Sequence, residues 1–389
     1  MRPRFPFCSV IVVCTFCIPT MTSAQRTQTQ TPADAQPTQR FQAWDRNKDG
    51  KLSRDELPAN LRRNFDRVDT NGDGAISPAE DAAIRGGNRR ERNNRGARMD
   101  GVKVIANQPY AADDNPRHQL DLFLPEKRAT DKPLPLLAFI HGGGWRGGDK
   151  RSGAGRVAKF VQSGKFAAAS IGYRLSGEAQ WPAQIHDCKA AIRWLKAHAK
   201  QYGYDADRMA VWGTSAGGHL VAMLGVTGDE KSLEGELGKH SRENSRVACV
   251  VDFYGPTNFL TMNDFESTID HDAANSPESL LIGGAIQKRK DKARAACPLQ
   301  YVSASAAPML LMHGDQDRLV PFDQSIQLAA ALREHKVPVY LVKIQNGGHG
   351  FPDAAVRPRV EQFLARHLLS DKDTTVSEET ITLPQRQRK

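Results

Sequence analysis

The 389-residue sequence has few cysteines, few aromatic residues and no apolar run long enough to span a bilayer comfortably. Six cysteines are too few for a disulfide scaffold at this length. With 39% hydrophobic and 25% charged residues, the composition excludes a disordered chain, a fibrous repeat and a multi-spanning membrane protein. The formal charge of +10 says nothing about fold or chemistry by itself.

The N-terminus has the pattern of a signal peptide. Residues 1–24 begin with two arginines, continue with an apolar run from about Phe5 to Ile18, and end in small and polar residues at Ala24. This pattern predicts cleavage and export, and therefore a secreted or periplasmic protein. Three cysteines would remain after cleavage. These three, Cys188, Cys249 and Cys297, cannot all pair within one chain. We expect them to be buried thiols, and their pairing is left open.

Two twelve-residue stretches, 45–56 and 69–80, match the EF-hand loop that binds calcium. Calcium needs six to eight oxygen ligands, which alternating Asp and Asn side chains, one backbone carbonyl and a final Glu supply, while Gly50 and Gly74 permit the bend. The sequence therefore predicts two calcium sites in an all-α EF-hand pair over residues 40–84, after a flexible spacer at 25–39. The predicted ligands are Asp45, Asn47, Asp49, Lys51 and Glu56 in the first loop, and Asp69, Asn71, Asp73, Ala75 and Glu80 in the second.

Only twelve residues separate Glu56 from Asp69, enough for one helix of about three turns shared by both loops. We therefore expect a stabilising, spacing or anchoring role rather than an opening motion that grasps a target. Residues 85–100 carry six arginines without interleaved aromatic residues. This favours a solvated linker, with no nucleic-acid partner.

From residue 101 onward, eight apolar runs have the length of strands, and from the third run they alternate with helical stretches. This pattern predicts an α/β domain over residues 101–370, with a mostly parallel eight-stranded sheet covered by helices on both faces. Residues 257–300 lack a regular strand pattern and are expected to form part of a rim or a small cap. The polar residues 371–389 are predicted to be a disordered tail.

The motif GTSAG at 213–217 follows one strand and opens a helix, as in a nucleophile elbow that exposes a serine hydroxyl. It predicts Ser215 as the nucleophile. Upstream, HGGGW at 141–145 follows another strand, and its backbone N–H groups, with that of Ala216, would form an oxyanion hole. A phosphate-binding loop is disfavoured because the Gly-Lys-Ser/Thr ending is absent.

The base and the acid are expected later in the chain. His349 lies among glycines after the last predicted strand and is the candidate base. Asp317 is the preferred acid and Asp315 the alternative. Sequence spacing alone does not decide between these two residues. The aromatic residues Trp145 and Tyr254 lie beside the presumed site and are candidates for substrate binding or for ordinary core packing.

Several segments together resemble the bacterial feruloyl-esterase-like branch of the α/β-hydrolase esterase/lipase group, whose neighbours are the hormone-sensitive-lipase-like esterases. The segments are HGGGWRGGDK, GYRLSGEAQWPAQIHDCKAAIRWL, VWGTSAGGHL, VVDFYGPT, HGDQDRLVP and GGHGF. The resemblance covers residues 101–370 and implies an α/β-hydrolase fold. It also implies Asp317 as the acid and Gly143 and Gly144 as the oxyanion-hole glycines. The EF-hand pair is an addition that this family does not require.

The resemblance implies a serine ester hydrolase that works through an acyl-enzyme and needs no cofactor for catalysis. The expected substrates are feruloyl or acetyl esters of polysaccharide, or short-chain esters. An arylformamidase shares a related glycine loop, and a prolyl-oligopeptidase-like enzyme shares the core but normally carries a propeller for which the chain has no room. A calcium-dependent surface-binding protein with a relict hydrolase domain is the non-enzyme alternative. The complete set of nucleophile, acid, base and oxyanion groups argues against it.

Overall fold

The computed structural model describes residues 39–58, 62, 65–69, 71–81 and 99–385. The described residues belong to two compact units, which are divided between residues 95 and 96. The predicted signal peptide, residues 25–38 of the predicted spacer and residues 85–98 of the predicted linker lie outside the described residues. Among the described residues, no helix combines the length and the apolar character needed to cross a membrane.

The first unit pairs its two loops through their backbones. Helix α1 (Gln39–Trp44) precedes the first loop, and helix α2 (Phe65–Val68) precedes the second. Leu52 and Ile76, at the same position of each loop, exchange two N–H···O bonds of 2.9 and 2.8 Å in an antiparallel bridge. Their side chains are buried in one small core, so each loop supports the other. The core consists of Phe41, Leu52, Leu57, Phe65 and Ile76.

The second unit contains one nine-stranded sheet in the order β1-β2-β4-β3-β5-β6-β7-β8-β9. β2 pairs antiparallel with β1 and with β4, and all the remaining strand pairs of this sheet are parallel. The eight predicted strands are all present, and the prediction of a mostly parallel sheet is confirmed. The strands are β1 (Val102–Pro109), β2 (Gln119–Pro125), β3 (Leu134–Ile140), β4 (Ala167–Ile171), β5 (Tyr204–Thr214), β6 (Cys249–Phe253), β7 (Met309–Gly314), β8 (Val339–Gln345) and β9 (Ile381–Thr382).

Helices cover both faces of this sheet because its strands are apolar on both sides. In β3, Ala138 and Ile140 belong to one hydrophobic core, and Leu137 and Phe139 belong to the other. Side chains alternate between the faces of a strand, so a continuous apolar run needs two covering layers. The helices are α3 (Gly153–Gln162), α4 (Ala183–Ala197), α5 (Ala199–Tyr202), α6 (Ala216–Val226), α7 (Pro277–Ile282), α8 (Lys290–Ala295), α9 (Asp323–Glu334) and α10 (Asp353–His367).

The ninth strand corrects two predictions, the count of eight strands and the disordered tail at 371–389. Residues 371–385 are ordered: Ile381 and Thr382 pair with the end of β8, and Val376 is buried against the core. The reason is that the β8 edge presents unpaired backbone groups, which a short apolar segment can satisfy even inside a polar stretch. Residues 386–389 lie outside the described part of the chain.

Cys188, Cys249 and Cys297 are all buried free thiols, and the described residues contain no disulfide. Burial raises the pKa of the Cys188 thiol well above its ordinary value. Each cysteine therefore acts as a small apolar core residue, which is the interpretation that the sequence favours.

Candidate active site

Ser215 lies at the tight turn between β5 and α6. Its backbone has a φ of 56°, which few non-glycine residues adopt. A Cβ on Gly213 would lie 2.1 Å from the carbonyl oxygen of Gly217, and a Cβ on Gly217 would lie 2.1 Å from that of Ile140. The two flanking glycines are therefore required for the turn to close, and the turn holds the serine hydroxyl above the sheet edge.

A hydrogen-bonded chain connects this serine to a histidine and an aspartate. His349 Nε2 lies 2.9 Å from Ser215 Oγ, and His349 Nδ1 lies 2.7 Å from Asp317 Oδ2. The three residues follow β5, β8 and β7, so their loops meet at the carboxyl edge of the parallel strands. The structure thus brings together the three residues that the sequence predicts as nucleophile, base and acid.

Asp317, and not Asp315, is the aspartate that contacts His349. Burial raises the pKa of Asp317, but hydrogen bonds with His313 and His349 outweigh it and leave the pKa well below its ordinary value. The backbone N–H groups of Leu319 and Val320 also donate to its Oδ1 atom, at 2.9 and 3.0 Å. Asp315 is exposed and accepts a bond from the N–H of Asn346 instead. The carboxylate of Asp317 is therefore fixed and ionised.

The glycine loop after β3 lies against the same serine. Gly143 and Gly144 have φ values of 116° and 58°, a path that glycine adopts readily. His141 anchors the start of the loop by stacking on Tyr173, with ring centroids 4.3 Å apart. Burial lowers the pKa of His141 to about 4, so this ring is neutral near pH 7 and serves as a support.

Among the described residues, three backbone N–H groups that border the cavity above Ser215 have no hydrogen-bond acceptor. Within the described residues, the N–H groups of Gly143, Gly144 and Ala216 donate no hydrogen bond. The cavity has a volume of about 620 Å³ and is lined by these residues together with Ser215 and His349. Free donors next to a nucleophile are what a developing oxyanion requires.

Trp145 and Tyr254 both border this cavity, but both are buried, with 1% and 6% of their surfaces exposed. The Trp145 ring packs edge-on against His219 and Phe259. The Tyr254 ring lies beside His349, with centroids 4.6 Å apart. Both rings are thus buried against protein side chains, and this arrangement suits packing against the loop and His349 more than stacking on a substrate.

A family model described as BD-FAE matches residues 120–332, more than half of the chain. The chain belongs to the BD-FAE family. This confirms the predicted α/β-hydrolase esterase group. The match includes the glycine loop, Ser215 and Asp317, while His349 follows its end.

Individual relatives of this BD-FAE chain are esterases. The chain is 31% identical to Esterase LipC of Mycobacterium tuberculosis over 61% of its own length and 58% of that protein. It thus spans little more than half the length of the curated relatives it matches. A solved truncated form of a carbohydrate esterase from gut microbiota is 31% identical with a TM-score of 0.60, covering 65% of this chain and 91% of that one. A bifunctional GH43-CE protein of Bacteroides eggerthii is 32% identical with a TM-score of 0.63, covering 68% of this chain and 38% of that one.

The loops of the first unit have the backbone of EF-hands, and EF-hand models match residues 38–58 and 61–80. The N–H groups of Gly50 and Gly74 donate to the carboxylates of Asp45 and Asp69, at 2.9 Å in both loops. In the described residues no group of three or more His, Cys, Asp or Glu side chains is placed to hold a metal ion. The predicted ligands are carboxylate, amide and backbone carbonyl oxygens. These oxygen donors are of the type that calcium prefers, and the loop residues fit the ion.

The cavity also contains residues that sequence reasoning missed. They come from the segment expected as a rim or cap and from the loop that follows Asp317, and they include Ile269, Pro277, Glu278 and Leu319. The residues Ser276-Pro277-Glu278 are typical of a helix start. In the structure, Ser276 Oγ accepts a bond from the N–H of Ser279. Nothing in that local signal indicates that the Glu278 side chain borders the cavity of Ser215.

Proposed function

We propose that this chain is an exported serine carboxylic-ester hydrolase that acts through an acyl-enzyme. The observation that carries the proposal is the chain of contacts from Ser215 Oγ through His349 to Asp317, at 2.9 and 2.7 Å, beside free backbone N–H groups. The family and its named esterase relatives support the same class of reaction.

In the proposed reaction, Ser215 Oγ attacks the ester carbonyl while His349 Nε2 takes the hydroxyl proton. The N–H groups of Gly143, Gly144 and Ala216 stabilise the oxyanion, and Asp317 stabilises the imidazolium. His349 then returns the proton to the leaving alcohol as the C–O bond breaks. Water attacks the acyl-serine with His349 again as base, which releases the acid and restores the serine.

For the substrate, we propose feruloyl or acetyl esters of polysaccharide, with short-chain esters as simpler substrates. The support is the similarity to a carbohydrate esterase and to a GH43-CE protein. Export is proposed from the N-terminal pattern of a basic start, an apolar run and a small residue. For the EF-hand pair, we propose that it binds two calcium ions, on the basis of its loop sequences and of the family match.

The test is hydrolysis of a nitrophenyl ester by three variants. Ser215→Ala removes the nucleophile and Asp317→Asn the charge that orients His349, and each should lower kcat by at least about 1000-fold. Asp315→Asn is the matched control, because this exposed carboxylate does not contact His349, and it should stay within about twofold of the wild type. A fluorophosphonate probe should label the wild type and not Ser215→Ala. Undiminished turnover by Ser215→Ala would disprove the proposal.

A further inference from the structure

Glu278 is a buried carboxylate on the wall of the cavity that holds Ser215. Only 3% of its surface is exposed, and it lines the cavity together with Gly144 and Pro277. In the part of the chain that the structure describes, no hydrogen bond reaches either of its carboxylate oxygens, and Oε2 is fully enclosed. A buried carboxylate that lacks hydrogen-bond donors is costly, and a ligand that donates to it lowers that cost.

One neighbour holds this carboxylate in place. His271 Nδ1 lies 3.1 Å from Glu278 Oε2, a close contact that is not aligned as a hydrogen bond. The His271 backbone N–H donates to Asn263 Oδ1 at 2.8 Å, its carbonyl accepts from Ser276 Oγ at 2.8 Å, and its ring Nε2 lies 3.1 Å from Ser267 Oγ. The backbone of His271 is therefore held on both sides and its ring on one, and the ring positions the carboxylate without using up its acceptor capacity.

The other groups on the cavity wall leave the carboxylate available. Arg146 and Arg156 line the same cavity, but among the described residues neither forms an ion pair with Glu278. Ile269 and Leu319 add apolar side chains to the lining of the same cavity. Two arginines disfavour a cationic substrate group, so a neutral hydroxyl is the donor that suits this acceptor.

We propose that Glu278, positioned by His271, accepts a hydrogen bond from a hydroxyl group of the bound ester and so selects hydroxyl-bearing substrates over their methyl ethers. This inference rests on the proposed ester hydrolysis at Ser215 and adds a specificity determinant to it. The hydroxyl has two sources in the proposed substrates, a phenol on the acyl side or a sugar on the alcohol side. Hydrogen bonds to a charged acceptor are among the stronger ones in proteins, and a site built for one rejects analogues that lack the donor.

The experiment compares kcat/KM within two matched substrate pairs. Methyl ferulate against methyl 3,4-dimethoxycinnamate tests a phenolic hydroxyl, and methyl 2-O-acetyl-xyloside against its 3,4-di-O-methyl ether tests sugar hydroxyls. We expect the wild type to prefer the hydroxylated ester of at least one pair by about 10–100-fold. Glu278→Gln, which keeps the shape and loses the charge, should reduce that ratio about tenfold. Glu266→Gln changes an exposed acid of the same segment and should keep the wild-type ratio.

Titration of Ser215 with a fluorophosphonate counts the active enzyme, so incomplete folding of a variant does not alter the ratio. His271→Asn leaves the carboxylate and removes the group that positions it, and this variant should lower the same ratio to a smaller extent. The inference would be overturned if the wild type prefers the hydroxylated ester of neither pair. It would also be overturned if Glu278→Gln keeps the wild-type ratio of kcat/KM values. If the wild type hydrolyses a nitrophenyl ester but none of the four esters, the proposed substrates are wrong and this inference fails with them; if it hydrolyses no ester at all, the proposed function itself fails.

Discussion

Asp252 is a carboxylic acid enclosed behind the nucleophile elbow, at the end of β6. Only 1% of its surface is exposed, and burial raises its pKa from 3.8 to about 7. Oδ1 accepts a bond from the N–H of Gly255 at 3.0 Å, and in the described part of the chain Oδ2 has no donor. Between pH 4 and pH 7 the folded protein therefore binds a proton that the unfolded chain has lost, and stability falls as the pH rises through this range.

Replacing this residue by asparagine should remove that pH dependence. One proton corresponds to about 1.4 kcal/mol per pH unit, so the free energy of unfolding should fall about 2–3 kcal/mol less between pH 5 and pH 8 in Asp252→Asn than in the wild type. Urea denaturation at both pH values measures the difference. Asp315→Asn, at an exposed carboxylate, is the control and should keep the wild-type dependence. An unchanged dependence in Asp252→Asn would show that the carboxylate is ionised in the fold.

Single residues differ in how far the sequence reveals them. Ser215 and its glycines are predictable because the strand-turn-helix geometry forces small residues into a local motif. The sequence does not distinguish Asp317 from Asp315, because the choice depends on which carboxylate turns inward. The inward carboxylate is that of Asp317, which contacts the N–H groups of Leu319 and Val320 and the ring of His313. Glu278 and His271 lie seven residues apart in the sequence, and no periodic pattern marks their contact.

At the scale of elements, the chain end stabilises the loop that carries His349. Leu383 N–H donates to the carbonyl of Gln345 at 3.0 Å, and Asn346 Nδ2 donates to the carbonyl of Leu383 at 2.9 Å. Glu378 accepts bonds from the N–H of Leu341 and from Arg333, at 2.8 and 2.6 Å. The eight long strands are predictable from their apolar runs. The two-residue strand β9 is not predictable in this way, because its pairing depends on a free sheet edge rather than on its own composition.

Truncation after Ser370 should therefore weaken both stability and activity. It exposes the β8 edge, removes the buried side chain of Val376, and releases Asn346, three residues before His349. A loss of about 2 kcal/mol corresponds to a decrease in Tm of about 5 °C for a domain of this size. Thermal unfolding and nitrophenyl ester turnover measure the two effects. Truncation after Gln385 keeps β9 and should leave both close to the wild type; an unaltered Tm in the shorter chain would contradict the assigned role of β9.

At the scale of the whole molecule, the EF-hand loops and the proposed catalytic groups belong to different compact units. The proposed nucleophile, base, acid and oxyanion donors all come from residues 143–349, and His349 carries out every proton transfer in the proposed reaction. Calcium bound in the first unit would hold Asp45 and Glu56, and likewise Asp69 and Glu80, around one ion each. Its expected contribution is therefore to the stability of the first unit rather than to the chemistry at Ser215.

Calcium titration of the full chain tests this division of roles. Isothermal titration should give two bound ions per chain in the wild type and one in each of Glu56→Gln and Glu80→Gln, because each change removes the last ligand of one loop. Removal of calcium with EDTA should lower the thermal stability of the first unit while ester hydrolysis stays within about twofold, since the proposed base His349 and the proposed acid Asp317 both belong to the second unit. Absence of heat at millimolar calcium would exclude metal binding by the loops. A loss of hydrolysis restored by added calcium would instead couple the first unit to Ser215.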